Sequence, residues 1–378
     1  MISYFEQFIQ DYLKSFNFPL LAALFFFVLI VILVIYILIY QRLTRDIESK
    51  FKRWDFIADH IIRDAIFFDD TPENNSKNEA LSVLESDKLT IPERLKKLIK
   101  NDKFRFRLMK KILNAKQDVS GEAGGNLTML YRQLGLDKDL VKMLKSRSWY
   151  INAMAIQAIG VLDLKEFREQ VYGFINHKKG LIRVESQNVI VKFDGFDGLR
   201  FLDGASYPIT EWQQIKLLEE LSHSANEHFS GIDIWLHSGN DTVVIFALKL
   251  VRTYHRFELY DHVLECLKHK NEEVRRQAIL ALKQLPSPLT APALIAHYAT
   301  ETSKNQILIL HVMSFVCTSD DLPFLLNLLD DYNNEVKIHA AKAIASLGLE
   351  GMNMLEAHAN IDNAPLKLIV AQIKEESR

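Results

Sequence analysis

Residues 271–285 read NEEVRRQAILALKQL, and the fold turns on whether this is one core helix among many or the unit of a repeat. Val274, Ala278, Ala281, Leu282 and Leu285 fall on one side of a 3.6-residue helix. With Val274 and Arg275 as the reference pair, steps of 31 residues forward reach Asn305 with Gln306, then Val336 with Lys337. Steps of 30 or 31 backward reach Val243, Trp212, Ile182 with Arg183, and Ile151 with Asn152. Four residues after the reference stand Ala155, Ser186, Ala247, Ala278 and Ala340, small enough for helices to approach closely. The preceding half of each unit also reads as helix, in LKEFREQVYGFIN, ELYDHVLECLKH, APALIAHYA, DDLPFLLNLLD and GMNMLEAHA. Loops such as HKNEE and DDYNNE supply Asn or Asp to cap the helix that follows. Each unit is therefore a helix pair. One pair has an apolar stripe too large to hide by itself, so successive pairs stack and cover each other.

These second helices resemble the HEAT-repeat family, whose pattern is an acidic residue, Val-Arg, two positions, Ala, two positions, Ala-Leu. EEVRRQAILALKQL and NEVKIHAAKAIASLG carry it well, SWYINAMAIQAIGVL moderately and KGLIRVESQNVIVKF more loosely. EWQQIKLLEEL and KNQILILHVMSFV depart from it, which leaves the register around Trp212 and Asn305 open. The resemblance implies an all-α chain with an α-solenoid of HEAT-like helix pairs over residues 137–378, offering an extended concave surface. Leu366 and Lys367 stand about one period after Val336, and the charged end of APLKLIVAQIKEESR suits a terminal cap. The whole layout looks like bacterial membrane-anchored HEAT-repeat proteins.

The membrane expectation comes from Phe18–Tyr40, FPLLAALFFFVLIVILVIYILIY, with no charge between Lys14 and Arg42. Such a run can cross a hydrocarbon core of about 30 Å, which needs roughly 20 helical residues. It exceeds the ~7–15 apolar residues of a cleaved signal peptide, and its leading segment, residues 1–17, carries Glu6 and Asp11. Arg42, Arg45, Lys50, Lys52 and Arg53 follow the span, against Lys14 before it. Positive flanks stay in the cytoplasm, so a single-pass protein with a cytoplasmic solenoid is expected. Residues 41–68 have apolar positions at helical spacing and read as a juxtamembrane helix that prolongs the span or lies on the bilayer. Residues 69–90 are polar and acidic and read as a linker. Residues 91–136 read as a helical adaptor in which SGEAGG is a turn.

The net charge of -2 over 378 residues gives no reason to expect nucleic-acid binding. Cys266 and Cys317 lie in apolar helical patterns, as small buried hydrophobes do. His255, His262 and His269 recur every seven residues, with His223, His228 and His237 just before them. Seven residues span about 10 Å along a helix, too far for one metal ion. No His-Glu dipeptide of the kind carried by HEAT-like di-iron proteins occurs, so no metal or cofactor is expected. FDGFDGLRFLDG (193–204) lacks the calcium-loop spacing and reads as turn and cap chemistry. Phosphate-loop, serine-hydrolase and zincin motifs are absent from the sequence, so no enzyme is expected.

The remaining candidates are polar residues on second helices, namely Arg183, Gln187, Arg275, Arg276, Lys283, Lys337 and Lys342, which could meet an acidic protein segment. For Arg183, Arg275 and Lys337, a ladder with acids of neighbouring units is an equal reading. Lys283 and Lys342 are expected to be free, and Trp149, Trp212 and Trp235 to be core. The expected function is a scaffold that binds protein partners, an accessory of an envelope or membrane-bound enzyme system. The alternative is a HEAT-like enzyme or a cofactor-binding module resembling the phycobilin lyases.

Overall fold

The computed structural model describes residues 4–7, 10, 18–67, 84–85, 88–89, 93–222, 229–285, 287–359 and 364–376. Apart from Leu84–Glu85, paired antiparallel with Lys88–Leu89, the 69–90 linker lies outside the described residues, as does most of segment 1–17. The chain divides into two units, Met1–Lys142 and Met143–Arg378.

The first unit is built on α1, an unbroken helix Phe18–Ile66. Its apolar part is long enough to cross a membrane, and every residue from Leu24 to Tyr40 is exposed. The later part of α1 is a core helix. Trp54, Ala58, Ile62 and Ala65 are buried against α3 (Asp102–Asp118) and α4 (Gly121–Gln133), which follow the short α2 (Glu93–Ile99). Trp54 meets Phe104 edge-on, ring centroids 5.6 Å apart. Charged residues fix the approach from outside: Arg107 forks onto both oxygens of Asp55 at 2.6 Å, and Lys111 reaches Asp59 at 2.6 Å. Juxtamembrane residues therefore pack on the bundle that follows them.

The expected turn SGEAGG is mostly helix. Val119 and Ser120 alone make the extended link, and α4 begins at Gly121. Gly124 sits where a Cβ would come within 3.1 Å of the Val119 carbonyl, so glycine here marks a close approach inside a helix and does not break it.

The second unit is a succession of helix pairs. After α5 (Asp137–Leu144), which spans the division, the second helices are α6 (Trp149–Val161), α8 (Gly180–Asp194), α9 (Glu211–Ser222), α11 (Asp241–Thr253), α13 (Glu272–Leu282), α15 (Ser303–Val316), α17 (Asn334–Ala345) and α19 (Ala364–Glu376). The first helices are shorter and partly 3-10: α7 (Arg168–Tyr172), the 3-10 segment Gly195–Gly204, α10 (Ile232–Leu236), α12 (Tyr260–Cys266), α14 (Thr290–Tyr298), α16 (Leu322–Asn327) and α18 (Leu349–Ala359). Second helices pack on their neighbours, α6 on α8, α8 on α9, α11 on α13, α13 on α15, α15 on α17 and α17 on α19. No strand occurs in this unit among the described residues.

The register open at Trp212 resolves one residue later. In α8, α11, α13, α15 and α17 the third helical residue is buried, and these are Ile182, Val243, Val274, Asn305 and Val336. In α9 that residue is Gln213, 3% exposed, whereas Trp212 is 66% exposed. The 30-residue step therefore lies between Gln213 and Val243, one unit later than a reference at Trp212 places it. Four residues past the corrected reference, Ala155, Ser186, Leu217, Ala247, Ala278, Ile309 and Ala340 are all completely buried. At the irregular joint, α9 and the loop before it are tied to α11 through side chains: Lys249 Nζ donates to Gln214 Oε1 at 2.8 Å, and the loop's Ile209 N–H to Thr242 Oγ1 at 2.9 Å.

Of the tryptophans expected in the core, Trp235 is buried and its Nε1 donates to Asp203 at 2.6 Å. Trp149 and Trp212 are exposed instead. Both stand in the first two residues of their helices, ahead of the position that turns inward.

Candidate functional site

The residue after the buried reference has a recurrent job. Asn152 Nδ2 donates to the Leu144 carbonyl at 2.7 Å, Arg183 Nη1 to His177 O at 2.8 Å, Arg275 Nη1 to His269 O at 2.9 Å and Gln306 Nε2 to Tyr298 O at 3.1 Å. In the shifted unit, Gln214 Nε2 bonds Ile209 O at 3.2 Å. Leu144 and Tyr298 end their helices, where carbonyls have no partner within the helix, and His177, Ile209 and His269 lie in the loops that lead into the second helices, so these side chains satisfy backbone acceptors left by the preceding half-unit. At this position polar groups serve the fold.

Arg275 does more. Its guanidinium also grips Glu301 of the next unit, Nε to Oε1 at 2.6 Å, and Glu301 receives Asn305 Nδ2 at 2.9 Å. The Glu301 side chain is 2% exposed. Burial pushes this carboxyl up, but bonds from Arg275 and Asn305 and the Arg275 charge outweigh it and hold the group below its usual value. Arg183 differs, lying over the Tyr207 ring at 4.0 Å. Gln187, a candidate surface contact, is buried: it donates to Ile175 O at 2.8 Å and accepts from Gln213. It is removed from any binding surface because the next second helix covers it.

What remains outward lies along α13, α15 and α17. Arg276 is exposed and pairs loosely with Glu273 at 3.5 Å. Lys283 Nζ stands 3.6 Å over the ring of Phe315, itself 60% exposed. His311 touches Phe315, ring centroids 5.4 Å apart, and His339 lies 6.2 Å from His311. Burial lowers the His339 pKa, with the neighbouring His311 and Lys342 adding to it; burial and then Lys283 lower that of His311. Lys283 and Lys342 are thus engaged with neighbours, contrary to the expectation that they stand free. Lys337 makes no side-chain bond among the described residues and is half-buried. Sequence spacing placed Lys283 and Lys342 but missed His311 and Phe315, because the departing unit KNQILILHVMSFV gave no register by which to align them; His339, in the well-matched NEVKIHAAKAIASLG, stands out only once His311 is placed beside it.

The histidines at seven-residue intervals are not brought together. His255 stacks on Phe257, and the His269 ring accepts from Asn271 N–H at 3.1 Å. His262 meets His237, Nδ1 to Nε2 at 3.0 Å. His223 and His228 lie outside the described residues. In FDGFDGLRFLDG, Asp194 holds Arg168 at 2.8 Å and Asp203 holds Trp235, while a Cβ at Gly198 would come within 2.6 Å of Val191 Cα. Each of these aspartates is spent on the fold.

The HEAT repeat family matches residues 259–285, a helix pair comprising α12, α13 and their loop. Among solved structures, an engineered protein from a structural genomics consortium is similar at 14% identity, covering 73% of this chain and 86% of its own, with a TM-score of 0.38. Human deoxyhypusine hydroxylase in complex with glycerol is similar at 11% identity, covering 72% and 96%, with a TM-score of 0.28. A second engineered protein is similar at 12% identity, covering 70% and 93%, with a TM-score of 0.19. No curated protein matches the chain.

Proposed function

We propose that this chain is a non-catalytic scaffold, held in a membrane by α1, that binds a protein partner through the outward face of α13, α15 and α17. The observation that carries the reading is the contrast between polar groups turned to the fold and those left outside. Asn152, Arg183, Gln214, Arg275 and Gln306 are committed to backbone carbonyls at helix ends or in the loops before the second helices. Arg276, Lys283, His311, Phe315 and His339 line consecutive helices, cationic and aromatic together. Such a surface suits an acidic segment that also offers an apolar side chain. A HEAT repeat at 259–285 supports a helical-repeat scaffold.

The run of exposed apolar residues in α1 supports membrane anchorage, since a soluble protein rarely exposes a contiguous apolar surface of this size. Cations at 42, 45, 50, 52 and 53 support a cytoplasmic repeat region. The partner is itself membrane-associated in this reading, a component of an envelope or membrane-bound enzyme system. Affinity purification of the full chain from solubilised membranes tests the proposal. A partner should co-purify with the native chain and be lost from a Lys283→Glu, Phe315→Ala variant that still folds. Equal recovery with both, or turnover of a substrate by the purified chain, would contradict it.

A further inference from the structure

Two first helices of successive units bring three metal-ligating side chains into one small space. His237 is the residue that ends α10, its backbone N–H bonded to Ile234 O at 3.2 Å. His262 and Glu265 lie three residues apart on α12 and so share a face. His237 Nε2 is 3.0 Å from His262 Nδ1 and 3.8 Å from Glu265 Oε2, and the three ligand atoms all lie within 4.8 Å of one another. Cys266 locks the two elements together, its buried thiol donating toward Leu236 O at 3.9 Å. That thiol is buried and turned toward the Leu236 carbonyl, which keeps it out of the ligand set.

From this geometry we infer that His237, His262 and Glu265 form a binding site for one divalent transition-metal cation. Two nitrogens bound at about 2.05 Å in a tetrahedron stand roughly 3.3 Å apart, within a few tenths of an ångström of the separation found. Two imidazoles and one carboxylate select a borderline cation such as zinc, cobalt or nickel over magnesium or calcium. His237 and Glu265 are exposed, so both side chains can rotate onto the cation and the fourth coordination position faces solvent. The ligands come from α10 and α12, so a bound cation staples one repeat to the next.

The constellation escapes the seven-residue spacing of His255, His262 and His269. His237 and His262 are 25 residues apart and converge because consecutive first helices lie side by side.

The test uses the full chain in detergent, without a histidine tag and stripped of metal by chelator, titrated with zinc by equilibrium dialysis and with cobalt by visible absorption. One cation per chain is expected, with tetrahedral cobalt absorption and a zinc-dependent rise in melting temperature. His237→Ala and His262→Ala should each weaken binding at least tenfold, since losing even an outer-shell partner costs roughly 10–100-fold. His269→Ala should leave binding unchanged. Uptake below one equivalent at about tenfold molar excess, uptake that persists when both histidines are removed, or equal loss in His269→Ala would overturn the inference.

Discussion

At the residue scale the most committed interaction is Arg275 with Glu301. Removing one partner of a buried pair leaves the other charge without compensation and typically costs about 3–5 kcal/mol. The Arg275 side chain retains some exposure, 17%, so Arg275→Ala should cost about 3 kcal/mol in a denaturant melt, with Arg275→Met/Glu301→Gln losing less. The pH dependence follows from the lowered Glu301 pKa. The unfolded carboxyl takes its proton first, so this contribution is complete above about 4.5 and disappears as pH falls through the lowered folded value. His311 and His339 act at higher pH. Their folded pKa values lie below the ordinary 6.5, so the unfolded chain binds protons first. Stability is undiminished above about 6.5 and falls as the medium is acidified. Melting temperatures between pH 7.5 and 5.5 should therefore fall less in a His311→Asn/His339→Asn variant than in the native chain.

At the element scale, Ala278 is completely buried on α13 between neighbouring second helices. Ala278→Leu should overpack that contact by about 1–3 kcal/mol, whereas Lys304→Leu at an exposed position should be within about 0.5 kcal/mol; thermal melts compare them. Trp54 is the corresponding anchor of α1. Trp54→Ala should cost about 3–5 kcal/mol and expose the bundle to proteolysis after Ile66. The repeat was legible because a buried third residue recurs from α8 to α17 and a small or apolar seventh from α6 to α17. The unit at α9 was not, because a glutamine holds its buried reference and the adjacent tryptophan looks more like core than Gln213 does. An apolar residue is free to be exposed at a helix start, whereas a glutamine can be buried only if bonded, as Gln213 is to Gln187. Similarly, Gly124 in SGEAGG resembled a turn residue because the approach of the Val119 carbonyl leaves no mark in the local sequence.

At the scale of the whole molecule, α1 contributes both an apolar run suited to a bilayer and a core helix of the first unit, over about 73 Å of continuous helix. The second unit draws stability from neighbour to neighbour, as repeat arrays do, which leaves its outward side chains available for recognition. The most direct measurement is site-specific photo-crosslinking in intact cells, with the photoreactive residue at position 315 on α15 or, for comparison, at exposed position 257 among the first helices. The proposed scaffold should give one discrete protein adduct in the membrane fraction from position 315, abolished by Lys283→Glu, and none from position 257. No adduct at 315, or the same adducts from both positions, would contradict it.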